Sequence, residues 1–164
     1  MRILAVIGFC FFYWGVCAAC TGTDRKNLAG LRSYPDAVQR AVREHPVLGK
    51  IAPEEKPLPS ILLGNLILFS VVFSALRLAL KACLGLAGFA DAFAFFLLLG
   101  EGLGVFDLLV IDLLWWRNSK RVRFSFLPEK AAYQDATKHV ASFWRGVPLF
   151  AAVAAIAAAV VTLL

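Results

Sequence analysis

Four apolar blocks separated by two long polar stretches set the layout of this chain. The first block, about 3–20, reads ILAVIGFCFFYWGVCAAC and carries no charge over 18 residues. At about 1.5 Å per residue it reaches about 27 Å, enough to cross a bilayer's hydrocarbon as a helix. The second block, about 60–80, is uncharged from 61 to 76, and Arg77 and Lys81 can snorkel to the interface at its far end. The third, about 89–116, ends in Trp115, Trp116 and Arg117. The fourth, about 147–164, is mostly alanine, valine and leucine, with Pro148 in its first turn, where a missing N–H is harmless. Aromatic and cationic residues mark membrane interfaces, so Trp115, Trp116 and Arg117, with Trp144 and Arg145 before the fourth block, read as interface anchors.

The polar stretches, about 21–59 and 117–146, read as two loops. In the first, Ser33-Tyr34-Pro35-Asp36 matches a capping box with Ser33 as the N-cap. Val38 and Val42 follow one turn apart, with Arg40, Arg43 and Glu44 elsewhere around the helix, and Pro46 stops it. A further turn would gather Val47, Leu48 and Ile51. This element reads either as a surface helix against lipid headgroups or as a solvated linker. PEEKPLP at 53–59 is a semi-rigid lead into the second block. The expected fold is all-α: one integral membrane domain, a four-helix transmembrane bundle with a basic cytoplasmic face and a short amphipathic helix in the first loop. No internal repeat is visible, so an inverted-repeat transporter within the chain is not expected.

Composition agrees. Of 164 residues, 60% are hydrophobic, against about 45–50% in soluble domains. The excess lies in the blocks, leaving no room for a separate soluble domain. The net charge of +6 sits beside hydrophobic spans without any nucleic-acid-binding motif, so nucleic acid is not an expected partner. Fourteen of the 17 Lys and Arg residues fall in the two loops, and Arg2, Arg77 and Lys81 are on the other side. The positive-inside rule makes the loops cytoplasmic and puts both termini outside a plasma membrane. A signal peptide cleaved near Ala19, or lipidated at Cys20, is the rival reading of the first block. Its weak n-region, with Arg2 alone, and its crowded aromatics favour a retained helix. Cys10, Cys17, Cys20 and Cys83 sit in or beside apolar segments and read as packing residues. The lone Cys17–Cys20 pair lacks a second CxxC, so no metal or cofactor is expected.

The third block carries the candidate chemistry. Glu101, Asp107 and Asp112 lie in a stretch where a central Asp costs about 2.5–3.5 kcal/mol to insert. At 100° per residue Gly100, Gly104 and Asp107 fall within about 60°, and Glu101 and Asp112 within about 20° on another face. Gly100 and Gly104 form a GxxxG, which lets a neighbouring helix approach, with Ala151, Ala154, Ala155 and Ala158 as natural partners. An unwound helix is the alternative, since three glycines in five residues weaken this turn. Asp112 can pair with Arg117 or Arg145, and Asn65 can hydrogen-bond Asp107. Glu101 has no evident partner. The acids therefore read either as structural pairs or as a proton, ion or substrate path. No catalytic residue is expected: neither histidine lies in a span, Ser70 and Ser74 lack a base, and no protease, esterase or nucleotide-binding motif is present.

The strings DLLVIDLLWWRNSKRVRF, TGTDRKNLAGLRSYPDAVQ and SFWRG resemble a group of small bacterial four-helix membrane proteins, some of which carry the label ABC-transporter permease. The resemblance spans most of the chain. It implies a permease-like transmembrane subunit and no particular functional residue. The expected partners are the lipid bilayer and a protein partner or further copies of the chain. An autonomous proton, ion or solute translocator using the carboxylates is the second expectation, and a membrane-embedded enzyme the third.

Overall fold

The computed structural model describes residues 1–79, 85–86 and 88–163. Lys81 and Cys83, named above, lie outside the described residues. Among the described residues seven α-helices follow in order: α1 (Arg2–Ala19), α2 (Asp24–Ala29), α3 (Asp36–Glu44), α4 (Leu48–Ile51), α5 (Leu58–Ala79), α6 (Phe89–Phe106) and α7 (Thr137–Leu163). A π-helical segment, Asp107–Trp115, continues α6, and short 3-10 turns fill the remaining polar stretches. No strand occurs among the described residues. Helices α1, α5, α6 with its continuation, and α7 are long and apolar enough to cross a membrane. The chain divides into two compact units.

The first unit takes in Met1–Cys10, Lys56–Val105 and Phe143–Leu164. Helix α6 buries Ala92, Phe95, Phe96, Leu99, Gly100 and Leu103, a single stripe at helical spacing. Helix α7 buries Phe150, Val153, Ala154, Ala157 and Ala158 on the same period. Phe73 of α5 lies between the rings of Phe96 (5.8 Å) and Phe150 (6.3 Å), near parallel to both. Phe69 meets Phe150 edge-on at 5.1 Å. Such ring pairs add about 0.5–1.5 kcal/mol each beyond their area. Arg2 grips Asp91 with both guanidinium nitrogens, at 2.6 and 2.7 Å, and also donates to the Gly85 carbonyl. A bidentate pair fixes geometry as well as charge, so Arg2 ties the start of α1 to that of α6.

At Gly100 helix α7 lies close against α6. A Cβ there would stand 2.8 Å from the Cβ of Phe150, while one at Gly104 would meet only Phe150 and Phe143 ring atoms at 3.7–3.8 Å. The expected glycine contact with the last helix is present, but its partner is Phe150 rather than the alanines. Ala154 and Ala158 belong to the buried stripe of α7, and Ala151 and Ala155 flank it.

Helix α7 begins ten residues before the predicted span. Asp135 accepts from both the backbone N–H (2.9 Å) and the hydroxyl (2.6 Å) of Thr137, which starts the helix within the polar stretch. Pro148 therefore lies inside the helix, not in its first turn. Its ring removes the bond that the Trp144 carbonyl would accept.

The second unit takes in Phe11–Glu55 and Phe106–Ser142, and the two polar stretches share its core. Leu28, Leu31, Tyr34, Val38, Val42 and Leu48 from the first pack with Trp116, Val122, Phe124 and Tyr133 from the second. Tyr34 is central: its hydroxyl donates to the Val122 carbonyl at 2.8 Å, and its ring faces Trp116 (4.8 Å), Phe124 (5.3 Å) and Tyr133 (6.0 Å). The amphipathic helix exists as α3, but Val38 and Val42 are wholly enclosed by protein. Neither the headgroup placement nor the solvated linker holds. Its start also differs. Pro35 disfavours the helical conformation at Tyr34, which is extended, so Ser33 ends a 3-10 turn and Pro35 precedes the first helical residue. In the turn after Pro46 only Leu48 is buried, and Val47 and Ile51 are exposed.

Several loop cations are spent within this unit. Arg121 donates to the Ala18 and Thr21 carbonyls and Lys26 to that of Ala19, which satisfies the free carbonyls at the end of α1. Gly22 turns the chain there with φ +108°, and a side chain at that position would press on the Arg121 guanidinium. Arg43 pairs with Glu55 and Lys138 with Asp36. Trp116 is 7% exposed inside this core, so it is a core residue and not an interface anchor. Trp115 packs edge-on against Trp14 at 6.2 Å. Trp144 and Arg145 are exposed, as an interfacial position requires.

Candidate functional site

The π-helical segment decides where the acids sit. A π-helix bonds residue i to i+5, so residues five apart fall about one turn from each other. Asp107 and Asp112 are five apart and both lie in this segment. An α-helical wheel would separate them widely, and the 100° spacing used above stops applying after Phe106. The separation of about 20° expected between Glu101 and Asp112 holds for an unbroken α-helix, which this segment is not. π-Helical turns are rare and are frequent at functional sites.

Asp112 does not pair with Arg117 or Arg145. Its Oδ2 lies 2.9 Å from Nδ1 of His139, with the two side chains 16% and 5% exposed. The imidazole also stands edge-on to the Trp116 ring at 4.9 Å. Its other nitrogen, Nε2, is buried and makes no hydrogen bond among the described residues. Asp107 lies within electrostatic reach of both Asp112 and His139. From α1, Tyr13 and Cys17 stand one turn apart and lie within electrostatic reach of both aspartates. Within the second unit, then, Asp112 contacts His139, and Asp107, Tyr13 and Cys17 lie within electrostatic reach. Arg117 contributes its carbonyl to Gln134, and its Nε is buried without a hydrogen-bond partner among the described residues.

The other expected site residues fall elsewhere. Glu101, on α6, is partly buried and belongs to the first unit, where it makes no ion pair or hydrogen bond among the described residues. Asn65, on α5, also belongs to the first unit, whereas Asp107 belongs to the second. Sequence reasoning missed His139, Tyr13 and Cys17. The Asp135-Ala136-Thr137 turn was the available signal, because a helix starting there carries His139 in its first turn. Among the described residues no group of three His, Cys, Asp or Glu side chains is arranged to hold a metal ion.

Two carboxylates, an imidazole, a phenol and a thiol, all wholly or partly buried, can hold and pass protons. A buried carboxylate–imidazole pair can also serve as a purely structural tie between the π-segment and α7. No protein-family model matches this chain, and no curated protein or solved structure is detectably similar to it.

Proposed function

We propose that this chain is a non-catalytic integral membrane subunit that crosses the plasma membrane four times and acts by associating with other membrane proteins, as a component of a transporter. One observation carries the membrane part of this reading. Helices α1 and α5 are strongly apolar, yet only 11% of each spanning window is buried within the chain. Ile3, Leu4, Ile7, Phe11 and Phe12 on α1, and Leu63, Ile67, Leu68 and Val71 on α5, are exposed. Apolar surface of that extent needs lipid or a partner helix to cover it.

The second unit supports one topology. Two loops that share one hydrophobic core lie on one side of a membrane, and their cations favour the cytoplasmic side. Both termini are then outside. Single cysteines at Ser33 and Ser125, both exposed, in a chain whose own cysteines are replaced, will resist a membrane-impermeant thiol reagent in intact cells and react after lysis. Labelling of both before lysis reverses the orientation, and labelling of one alone contradicts the shared core.

Purification from native membranes in mild detergent tests the subunit role. A co-purifying ATPase supports it, and recovery of the chain in the soluble fraction ends the membrane reading. A homo-oligomer without other partners favours a second reading, an autonomous proton or ion translocator working through Asp107 and Glu101. The grouping of Asp107 with Asp112 and His139 favours that reading. Its test is proton flux into proteoliposomes, with Asp107→Asn and Glu101→Gln compared with the unmodified chain at matched protein levels.

A further inference from the structure

We propose that Lys26 and Arg121 form a binding site for the phosphate of an anionic phospholipid at the end of α1. The proposal rests on the membrane reading above, which puts that end of the helix at the headgroup level, but not on any transport activity.

The site is assembled from separate stretches of chain. Leu28 and Val122 are buried in the shared core of the second unit, which fixes α2 and the 3-10 turn Lys120–Val122. Asn27, 1% exposed, joins the two. Its Nδ2 donates to the Arg121 and Arg123 carbonyls at 3.0 and 3.3 Å, and its Oδ1 accepts from the Gly22 backbone N–H at 3.3 Å. Lys26 and Arg121 are thereby brought to the last turn of α1. There Lys26 Nζ donates to the Ala19 carbonyl at 2.9 Å, and Arg121 Nη2 donates to the Ala18 and Thr21 carbonyls at 3.1 and 3.2 Å. Two long side chains are thus held in place before a ligand arrives, which lowers the ordering cost of binding.

These contacts leave both charges uncompensated. Carbonyls are neutral acceptors, and among the described residues neither cation pairs with a carboxylate. Asp24, the acid nearest Lys26 in sequence, accepts instead from the backbone N–H and the hydroxyl of Ser125. Nη1 and Nε of Arg121, and the remaining N–H groups of Lys26, bond no acceptor among the described residues. Both side chains are exposed, as are those of Arg25 and Lys120 beside them in sequence. The setting favours a lipid over a soluble anion. The apolar span of α1 ends at Ala19, so the two cations stand where headgroups begin. One turn deeper, Trp14 packs edge-on against Trp115 at 6.2 Å, and tryptophans concentrate at that level of a bilayer. Cations at the cytoplasmic surface attract anionic headgroups, and a phosphate can accept the N–H groups that remain.

Native mass spectrometry of the full chain in mild detergent, titrated with phosphatidylglycerol or phosphatidylcholine, measures the binding of each lipid. The unmodified chain is expected to retain phosphatidylglycerol in preference to phosphatidylcholine. Lys26→Gln and Arg121→Gln are each expected to weaken phosphatidylglycerol binding about fivefold and to leave phosphatidylcholine binding unchanged. Lys50→Gln removes another exposed cation, from α4, and is expected to change neither. Equal affinity for the two lipids overturns the proposal, and so does undiminished phosphatidylglycerol binding in Lys26→Gln. An equal loss in Lys50→Gln overturns it too, by assigning the preference to diffuse surface charge. Displacement of the lipid by glycerol 3-phosphate at the same concentration would assign the site to a soluble phosphate and overturn the lipid occupant. Monodisperse elution of each variant establishes folding. Arg121→Gln also removes a donor to the Ala18 and Thr21 carbonyls. If it does not fold, Lys26→Gln and Lys26→Glu decide the matter, the second being expected to abolish the preference. Recovery of the chain from the membrane or the soluble fraction tests the membrane reading separately, so an integral chain without a lipid preference fails this proposal alone.

Discussion

Alanine at position 100 is expected to destabilise the protein, and alanine at position 104 is not, although both glycines belong to one GxxxG. The added Cβ at Gly100 would lie 2.8 Å from the Cβ of Phe150. That atom is the root of its side chain and moves only with the backbone of α7. Overpacking of this kind costs about 1–3 kcal/mol, partly offset by up to roughly 1 kcal/mol of helix propensity gained when Gly becomes Ala. At Gly104 the new methyl would stand at ordinary contact distance, 3.7 Å or more, so the propensity gain leaves that variant neutral or slightly stabilised. Leucine at position 100 cannot be accommodated and will abolish recovery of folded protein. Phe150→Ala should restore part of the stability lost in Gly100→Ala. Yield of folded protein reads the leucine variant and thermal unfolding in detergent reads the others, and equal melting temperatures for the alanine variants at 100 and 104 would refute the close approach of α6 and α7.

The second large effect is centred on Tyr34, which is 2% exposed and touches three aromatic rings. Tyr34→Ala will cost about 3–5 kcal/mol by opening a cavity of aromatic size. Tyr34→Phe will cost about 1–3 kcal/mol, because the buried Val122 carbonyl loses its donor. The same residue gives the unit a pH limit. Burial, the largest cause, holds the Tyr34 phenol above its ordinary range, with the neighbouring Tyr133 and Asp24 adding to it. The folded state therefore keeps a proton that the unfolded chain releases. Stability from this group is intact below the ordinary tyrosine value of about 10 and falls as pH rises above it. Tyr34→Phe should flatten that alkaline limb. The fluorescence of Trp116, which contacts Tyr34, reports the transition, and an alkaline limb unchanged in Tyr34→Phe would assign it to another group.

The sequence alone was sufficient for the helical class and for the four long apolar segments, because a run of uncharged residues long enough to span hydrocarbon needs no tertiary information to be seen. It was also sufficient for the α3 helix, whose Val38 and Val42 spacing is local, and for close packing at Gly100. The start of α3 was legible in principle from the restriction that Pro35 places on Tyr34, and the start of α7 from the Asp135–Thr137 turn. Only the tertiary structure decided what those elements face. The two polar stretches bury a common core because their apolar side chains, too sparse to form a core within either stretch, are sufficient when combined. Trp116 looks like an interface anchor along the chain and becomes a core residue through Tyr34 and Tyr133. The grouping of Asp107, Asp112 and His139 depends on a π-helical register and on a contact across 27 positions of chain, from 112 to 139. Neither is encoded in an α-helical repeat: the first changes the angular step on which a helical wheel depends, and the second is set by packing between distant segments.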